Sequence, residues 1–104
     1  MDLRCYVLAL SADQPKTGLA LADFTVNIRR VEKGAEALTT VVPNAAMQKE
    51  LGNGYYTYYY HDPDYVTYDY FAEVQYTGAV ALDHTFWYDS FTQEALGKGY
   101  ITYL

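Results

Sequence analysis

Cysteine and histidine, on which many catalytic and metal sites depend, are scarce in this sequence. The 104 residues include one cysteine and two histidines. A single thiol excludes an internal disulfide framework, and no cysteine–histidine cluster has the spacing of a zinc site. A nucleophilic Cys5 assisted by His61 or His84 would also need an orienting group and an oxyanion site, for which no local motif exists. We therefore expect Cys5 to be a buried, reduced thiol, and the chain not to be an enzyme.

Basic residues and long apolar runs are scarce as well. Seven lysines and arginines stand against thirteen acidic residues, which gives a formal net charge of −6. That balance opposes binding to nucleic acid or to anionic membranes. No apolar stretch approaches the roughly 20 residues that span a bilayer, and no charged leader followed by an apolar run opens the chain. We expect a soluble protein with no nucleic-acid or membrane partner.

The segment that contains His61, Asp62, Asp64 and Asp69 is a candidate cation site, because calcium takes several oxygen ligands from one loop. It lacks the spacing and the final glutamate of a helix–loop–helix calcium loop. Pro63 indicates instead that the aspartates shape a turn. The sequence therefore predicts no metal and no cofactor, and it leaves open whether a cation binds at this turn.

The dominant pattern is the period-two alternation of β-strands. Strands are predicted at Leu3–Leu10, Leu21–Val31, Ala37–Val42, Tyr55–Tyr60, Asp69–Thr77 and Val80–Asp89, with a short seventh strand as an option at Tyr100–Leu104. Two of these strands have clear core-facing rows, namely Phe24, Val26 and Ile28 in the second and Tyr70, Ala72, Val74 and Tyr76 in the fifth. The sequence thus predicts an all-β protein.

The connections between these strands follow from turn and helix propensities. Pro43 lacks the amide proton that a sheet ladder requires and is expected to end the third strand. Residues 44–51 include good helix formers, and we expect a crossover between sheets with one or two helical turns, pinned to the core by Met47 and Leu51. Gly78 is predicted to turn the fifth strand directly into the sixth, as a hairpin.

Six or seven short strands without helical periodicity favour a two-sheet antiparallel β-sandwich. A small closed barrel is the alternative. The length fits one domain over residues 1–104, in which residues 90–104 form a tail that could extend the sheet of its own chain or be exchanged with a neighbouring copy.

Tyrosine is the most abundant unusual residue. Eight of the thirteen tyrosines lie between Tyr55 and Tyr70, and Asn53-Gly54 provides a sharp turn directly before them. Alternate residues of the tyrosine strand form two opposite rows, one of Tyr55, Thr57 and Tyr59 and the other of Tyr56, Tyr58 and Tyr60. Because a strand shows alternate residues on opposite faces, one row must lie outside unless another segment of the chain covers it.

An exposed aromatic row of this kind is typical of a contact surface for protein or sugar. Aromatic residues of the neighbouring hairpin and of the tail extend it. The candidate partner-binding residues are Tyr56, Tyr58, Tyr60, Phe71, Trp87, Tyr100 and Tyr103. If the ligand were a carbohydrate, aromatic rings would stack on the sugar while Asp83, Glu73 or Gln75 bonded its hydroxyls.

Three segments carry a resemblance to a known group of proteins. They are Pro15-Lys16-Thr17-Gly18-Leu19 leading to Phe24-Thr25-Val26, then Glu50-Leu51-Gly52-Asn53-Gly54-Tyr55-Tyr56-Thr57-Tyr58, then Asp69-Tyr70-Phe71-Ala72-Glu73-Val74. Over about residues 3 to 89, the chain resembles small transthyretin-like or carboxypeptidase-regulatory-like sandwich domains, especially the short β-sandwich proteins encoded among tailed-phage structural genes.

The resemblance implies an immunoglobulin- or prealbumin-like sandwich that is not catalytic. It further implies a structural or decoration subunit of a virion, assembled in the host cytoplasm, whose partners are other copies of itself or other structural proteins of the same particle. A carbohydrate-binding module is the alternative function.

Overall fold

The computed structural model describes residues 3–83 and the backbone of residues 86–90 and 100–103. The strands in this part of the chain are β1 (Leu3–Leu8), β2 (Leu10–Ser11), β3 (Gln14–Pro15), β4 (Phe24–Glu32), β5 (Leu38–Ala45), β6 (Lys49–Gly52), β7 (Tyr55–Tyr60), β8 (Tyr68–Tyr76), β9 (Phe86–Ser90) and β10 (Tyr100–Tyr103). Among the described residues, the only helical element is a 3-10 turn at Leu21–Asp23. The prediction of an all-β protein is confirmed.

The strands form two four-stranded sheets and one short ribbon. The first sheet has the order β10-β1-β7-β6, and the second has the order β5-β4-β8-β9. The ribbon consists of β2 and β3. Strand β10 runs parallel to β1, and the other strand pairs are antiparallel. The short C-terminal strand therefore joins the sheet of its own chain, which is one of the two options that the sequence left open.

The core contains residues from both sheets. Phe24, Val26 and Ile28 of β4 are at most 1% exposed, which confirms the predicted inward row of the second strand. Tyr70, Ala72 and Val74 of β8 are also buried. Leu3, Cys5 and Val7 supply the matching row of β1. The rings of Phe24 and Tyr56, which belong to different sheets, lie 4.8 Å apart between their centroids.

The hairpin between β6 and β7 turns at the predicted Asn53-Gly54. Both residues have positive φ, 54° and 85°. A two-residue hairpin turn requires this, because its backbone must match the right-handed twist of the flanking strands. A Cβ on Gly54 would lie 2.9 Å from the carbonyl oxygen of Ala9, so this turn packs directly against the chain that follows β1. Glycine is needed here for both its φ and its lack of a side chain.

Two expectations about the third strand and the crossover are wrong. Strand β5 continues through Pro43 to Ala45. It can do so because β5 is an edge strand whose register against β4 shifts near this point. At such a position the amide proton that proline lacks is not needed for a hydrogen bond of the ladder. The helical turns do not form, since pairing with β7 draws residues 49–52 into β6. Met47 is buried as predicted, whereas Leu51 is 47% exposed.

The predicted direct hairpin at Gly78 is also wrong, because β9 begins only at Phe86. The residues before it are held by the β2–β3 ribbon instead. The Asp83 carboxylate accepts hydrogen bonds from the backbone N–H groups of Ala12 (2.9 Å) and Asp13 (3.0 Å). Both donors have positive φ, 50° and 61°, so the carboxylate stabilises an otherwise unfavourable turn. The predicted pairing of the fifth and sixth strands, β8 with β9, is confirmed.

Candidate contact surface

Three of the tyrosines expected at a partner surface lie on the inner side of the first sheet. Tyr56, Tyr58 and Tyr60 pair with Val7, Cys5 and Leu3 of β1. Paired residues of antiparallel strands point to the same side, so these rings share the side of the core. Tyr56 is fully buried, and Tyr58 and Tyr60 are half-buried against the core. For Tyr56 the assignment to an outer contact surface is therefore wrong, whereas Tyr58 and Tyr60 keep part of their surface accessible on the inner side of the sheet.

Tyr56 can be buried because its hydroxyl has two backbone partners. It donates to the carbonyl oxygen of Lys16 at 2.8 Å and accepts from the N–H of Leu19 at 3.2 Å. Burial raises the pKa of this phenol above its usual range. The hydroxyl thereby holds the loop between β3 and the 3-10 turn against the core, which is a structural role.

Tyr60 belongs to a cluster that closes one end of the core around Arg30. The Arg30 guanidinium carbon lies 3.9 Å from the centroid of the Tyr68 ring. A hydrogen bond with the Tyr70 side chain raises the pKa of Arg30 further, and the Tyr70 hydroxyl also accepts from the Asp64 N–H at 2.8 Å. The Tyr60 and Tyr70 rings lie 5.8 Å apart between their centroids. Much of the tyrosine content is therefore internal packing, in which the hydroxyls of Tyr56 and Tyr70 are hydrogen-bonded.

The opposite side of the first sheet carries the other tyrosine row. We call this surface the aromatic outer face. Its described members are Arg4, Tyr6 and Leu8 of β1, Lys49 and Leu51 of β6, and Tyr55, Thr57 and Tyr59 of β7. Tyr59 is 37% exposed and Leu51 is 47% exposed. The alternation in the sequence predicts this row as one of two, and the three candidate residues of β7, Tyr56, Tyr58 and Tyr60, belong to the other.

Thr57 lies at the centre of the aromatic outer face. It is opposite Tyr6 on one side and Lys49 on the other. Its side chain is fully buried, and its Oγ1 has no hydrogen-bond partner. The centre of the face is therefore closed to solvent, and its exposed members are Arg4, Lys49, Leu51 and Tyr59. At one end of the face, the Arg4 guanidinium carbon lies 5.7 Å from the centroid of the Tyr59 ring, within cation–π range.

The edge of the first sheet beside this face is filled by a side chain. Gln48 is the residue directly before β6. Its amide oxygen accepts from the backbone N–H of Tyr59 at 2.9 Å, and its amide nitrogen donates to the carbonyl oxygen of Tyr59 at 3.3 Å. The backbone N–H of Gln48 donates to the carbonyl oxygen of Thr57 at 3.0 Å. The glutamine amide thus replaces one residue of a neighbouring strand.

The second sheet has a smaller and more polar outer surface. Phe71 and Glu73 alternate with the buried residues of β8, as predicted, and are half-buried. A carboxylate oxygen of Glu73 lies 3.7 Å from a guanidinium nitrogen of Arg29. Trp87 lies in β9, and Tyr100 and Tyr103 lie in β10. The side chains of these three candidate residues are outside the described part of the structure, as is the whole of His84.

The acidic segment near Pro63 forms a turn that is held by the Asp64 side chain. The Asp64 carboxylate accepts from the backbone N–H groups of Val66 (3.2 Å) and Thr67 (3.1 Å). Hydrogen bonds to Thr67, chiefly from its side chain, lower the pKa of Asp64. This is the turn-shaping role that Pro63 indicated. No group of three or more His, Cys, Asp or Glu residues within the described ranges could hold a metal ion.

Cys5 is 3% exposed, and burial raises its thiol pKa to about 12.

Comparisons with known proteins do not add a family. No protein-family model, curated protein or solved structure matches the chain significantly. A search of the described residues for a helix with the length and apolar character of a membrane span finds none.

Proposed function

We propose that this chain is a non-enzymatic structural or decoration subunit of a tailed-phage virion or a similar particle, and that it binds other structural proteins through the aromatic outer face. The observation that carries the proposal is the set of tyrosine and leucine side chains that remain at least partly exposed on the outer side of the first sheet, around the buried Thr57. Tyr59 and Leu51 are its most exposed apolar members. Tyrosine supplies a large rigid contact area with a hydrogen-bonding tip and is enriched at protein interfaces.

The proposal includes a two-sheet β-sandwich of immunoglobulin- or prealbumin-like form. It is supported by a core that draws alternate residues from β1 and β7 of one sheet and from β4 and β8 of the other. A sandwich has two outer faces, so a sheet whose inner side is already packed presents its other side to solvent or to a partner.

A non-catalytic role agrees with the burial of Cys5, whose thiol is the strongest potential nucleophile in the chain by residue type. Cys5 lies in the core with a pKa near 12, so at neutral pH it is a protonated thiol rather than a thiolate. The imidazole of His61 is on the surface, with its side chain 80% exposed. A thiol–imidazole pair would require both groups at one accessible position.

Site-specific photocrosslinking tests the proposed face. A photoreactive phenylalanine analogue would replace Tyr59, and the matched control would carry it at Val66, which is 86% exposed in the turn before β8. In the native particle, the Tyr59 position should crosslink to another copy of the chain or to a structural protein, more strongly than the control position. Equal or absent crosslinking from the two positions would contradict the proposal.

A carbohydrate-binding module remains the second candidate, favoured by one observation on the second sheet. Phe71 lies on its outer surface in register with Arg29, whose partner Glu73 supplies hydrogen-bonding oxygens beside the ring. Asp83, named earlier as a sugar ligand, is instead bound to the β2–β3 ribbon. A glycan array decides this alternative: binding that is lost in Phe71→Ala supports it, and no binding to any glycan removes it.

A further inference from the structure

The charged residues of the aromatic outer face are all of one sign. Arg4 and Lys49 are its charged side chains, and its other described members carry no carboxylate. The chain as a whole has only seven basic residues and a net charge of −6. The face is therefore locally positive on an acidic protein.

These two cations have no carboxylate partner within the described part of the chain. By contrast, Arg29 is paired with Glu73 at 3.7 Å, and Arg30 lies over the Tyr68 ring and hydrogen-bonds with the Tyr70 side chain. Arg4 lies over the Tyr59 ring, a contact that leaves its positive charge uncompensated. Lys49 is exposed in β6, directly across from Thr57.

From this arrangement we propose that the partner of the aromatic outer face is an acidic protein segment in which carboxylates alternate with apolar side chains. The inference rests on the proposed function and specifies its partner. The carboxylates would pair with Arg4 and Lys49, and the apolar groups would pack on Leu51, Tyr55 and Tyr59. Elsewhere the negative charge of the chain repels such a segment, so binding is confined to this face.

A protein segment fits this surface better than a nucleic acid. Two cations neutralise few phosphates, and the remaining negative charge opposes a polyanion along most of the surface. The leucines also offer contacts that a phosphate backbone cannot use. An extended peptide with alternating side chains matches the two-residue repeat of the strands on which the face is built.

The test uses the isolated chain and a synthetic peptide of alternating glutamate and leucine, with a glutamine–leucine peptide of equal length as the neutral control. Binding is followed by amide NMR shifts. The acidic peptide should shift resonances of β1, β6 and β7 and should bind at least several times more tightly than the neutral peptide. Raising the salt concentration should weaken that preference.

Charge reversal provides the matched variants. Lys49→Glu and Lys33→Glu change the net charge equally, but Lys33 lies in the turn after β4, away from the face. We expect Lys49→Glu to weaken acidic-peptide binding about fivefold, and Lys33→Glu to weaken it by less than about twofold, because one exposed ion pair contributes up to about 1 kcal/mol, which is about a factor of five in affinity.

Three results would overturn the inference: equal affinity for the two peptides, equal losses in the two variants, or tighter binding of single-stranded oligothymidylate at the same residues. None of these results would affect the crosslinking test in the native particle. A crosslink from position 59 without a preference for the acidic peptide would therefore retain the proposed function and reject the acidic partner.

Discussion

Replacing Tyr56 by phenylalanine tests whether the inner row of β7 is part of the core. The ring stays in place, so the apolar burial and the contact with Phe24 are retained. The change removes the acceptor of the Leu19 N–H and the donor to the Lys16 carbonyl oxygen. A buried polar group left unpaired costs about 1–3 kcal/mol. Since Lys16 is half-buried and water can replace part of its loss, we expect a total of about 2–4 kcal/mol.

That loss is a large part of the roughly 5–15 kcal/mol that stabilises a domain of this size. It corresponds to a fall in melting temperature of about 10–20 °C. Urea unfolding followed by circular dichroism would measure it, with an unchanged slope against urea. Tyr59→Phe is the control, because Tyr59 lies on the outer row of the same strand and its loss should stay within about 0.5 kcal/mol. Equal effects of the two substitutions would refute the assignment of Tyr56 to the core.

Three further predictions concern other positions. Thr57→Val should raise the free energy of unfolding by about 1 kcal/mol in urea titrations, because it removes a buried hydroxyl without a partner; a decrease would show that the hydroxyl is bonded. Gly54→Ala should destabilise by about 2 kcal/mol more than Gly34→Ala in the same assay, since both glycines have a φ of 85° but only Gly54 would bring a Cβ to 2.9 Å from a backbone oxygen. The Cys5 thiol has a pKa near 12 when folded and an ordinary value of 9.0, so the unfolded chain loses this proton first. Its contribution to stability is therefore complete below about pH 9 and falls by about 1.4 kcal/mol per pH unit up to about pH 12; the difference in pH dependence between the wild type and Cys5→Ala measures it, and identical profiles would contradict the burial.

The features that sequence predicted correctly depend on neighbouring residues. The alternation of Phe24, Val26 and Ile28 specifies which side of one strand is buried, whatever strand lies beside it. Asn53-Gly54 specifies its own turn because both residues tolerate positive φ. Asp64, next to Pro63, likewise shapes its turn through hydrogen bonds from residues two and three positions ahead.

The features that sequence missed depend on distant partners. The helix-forming residues before Leu51 become β6 because β7 offers a ladder, and tertiary pairing overrides helix propensity. Which tyrosine row faces inward is decided by the register between β1 and β7, since both rows are aromatic and local alternation cannot separate them. A weak signal was available: Thr57 is the one small polar residue among the tyrosines, and it lies in the outer row.

The Gln48 side chain limits how another strand can pair with the first sheet. Its amide occupies the two backbone groups of Tyr59 that an incoming extended polypeptide would otherwise engage, so a foreign strand cannot pair with β7 at this position. Under the proposed role, neighbouring copies could therefore meet at this position without forming a shared sheet there.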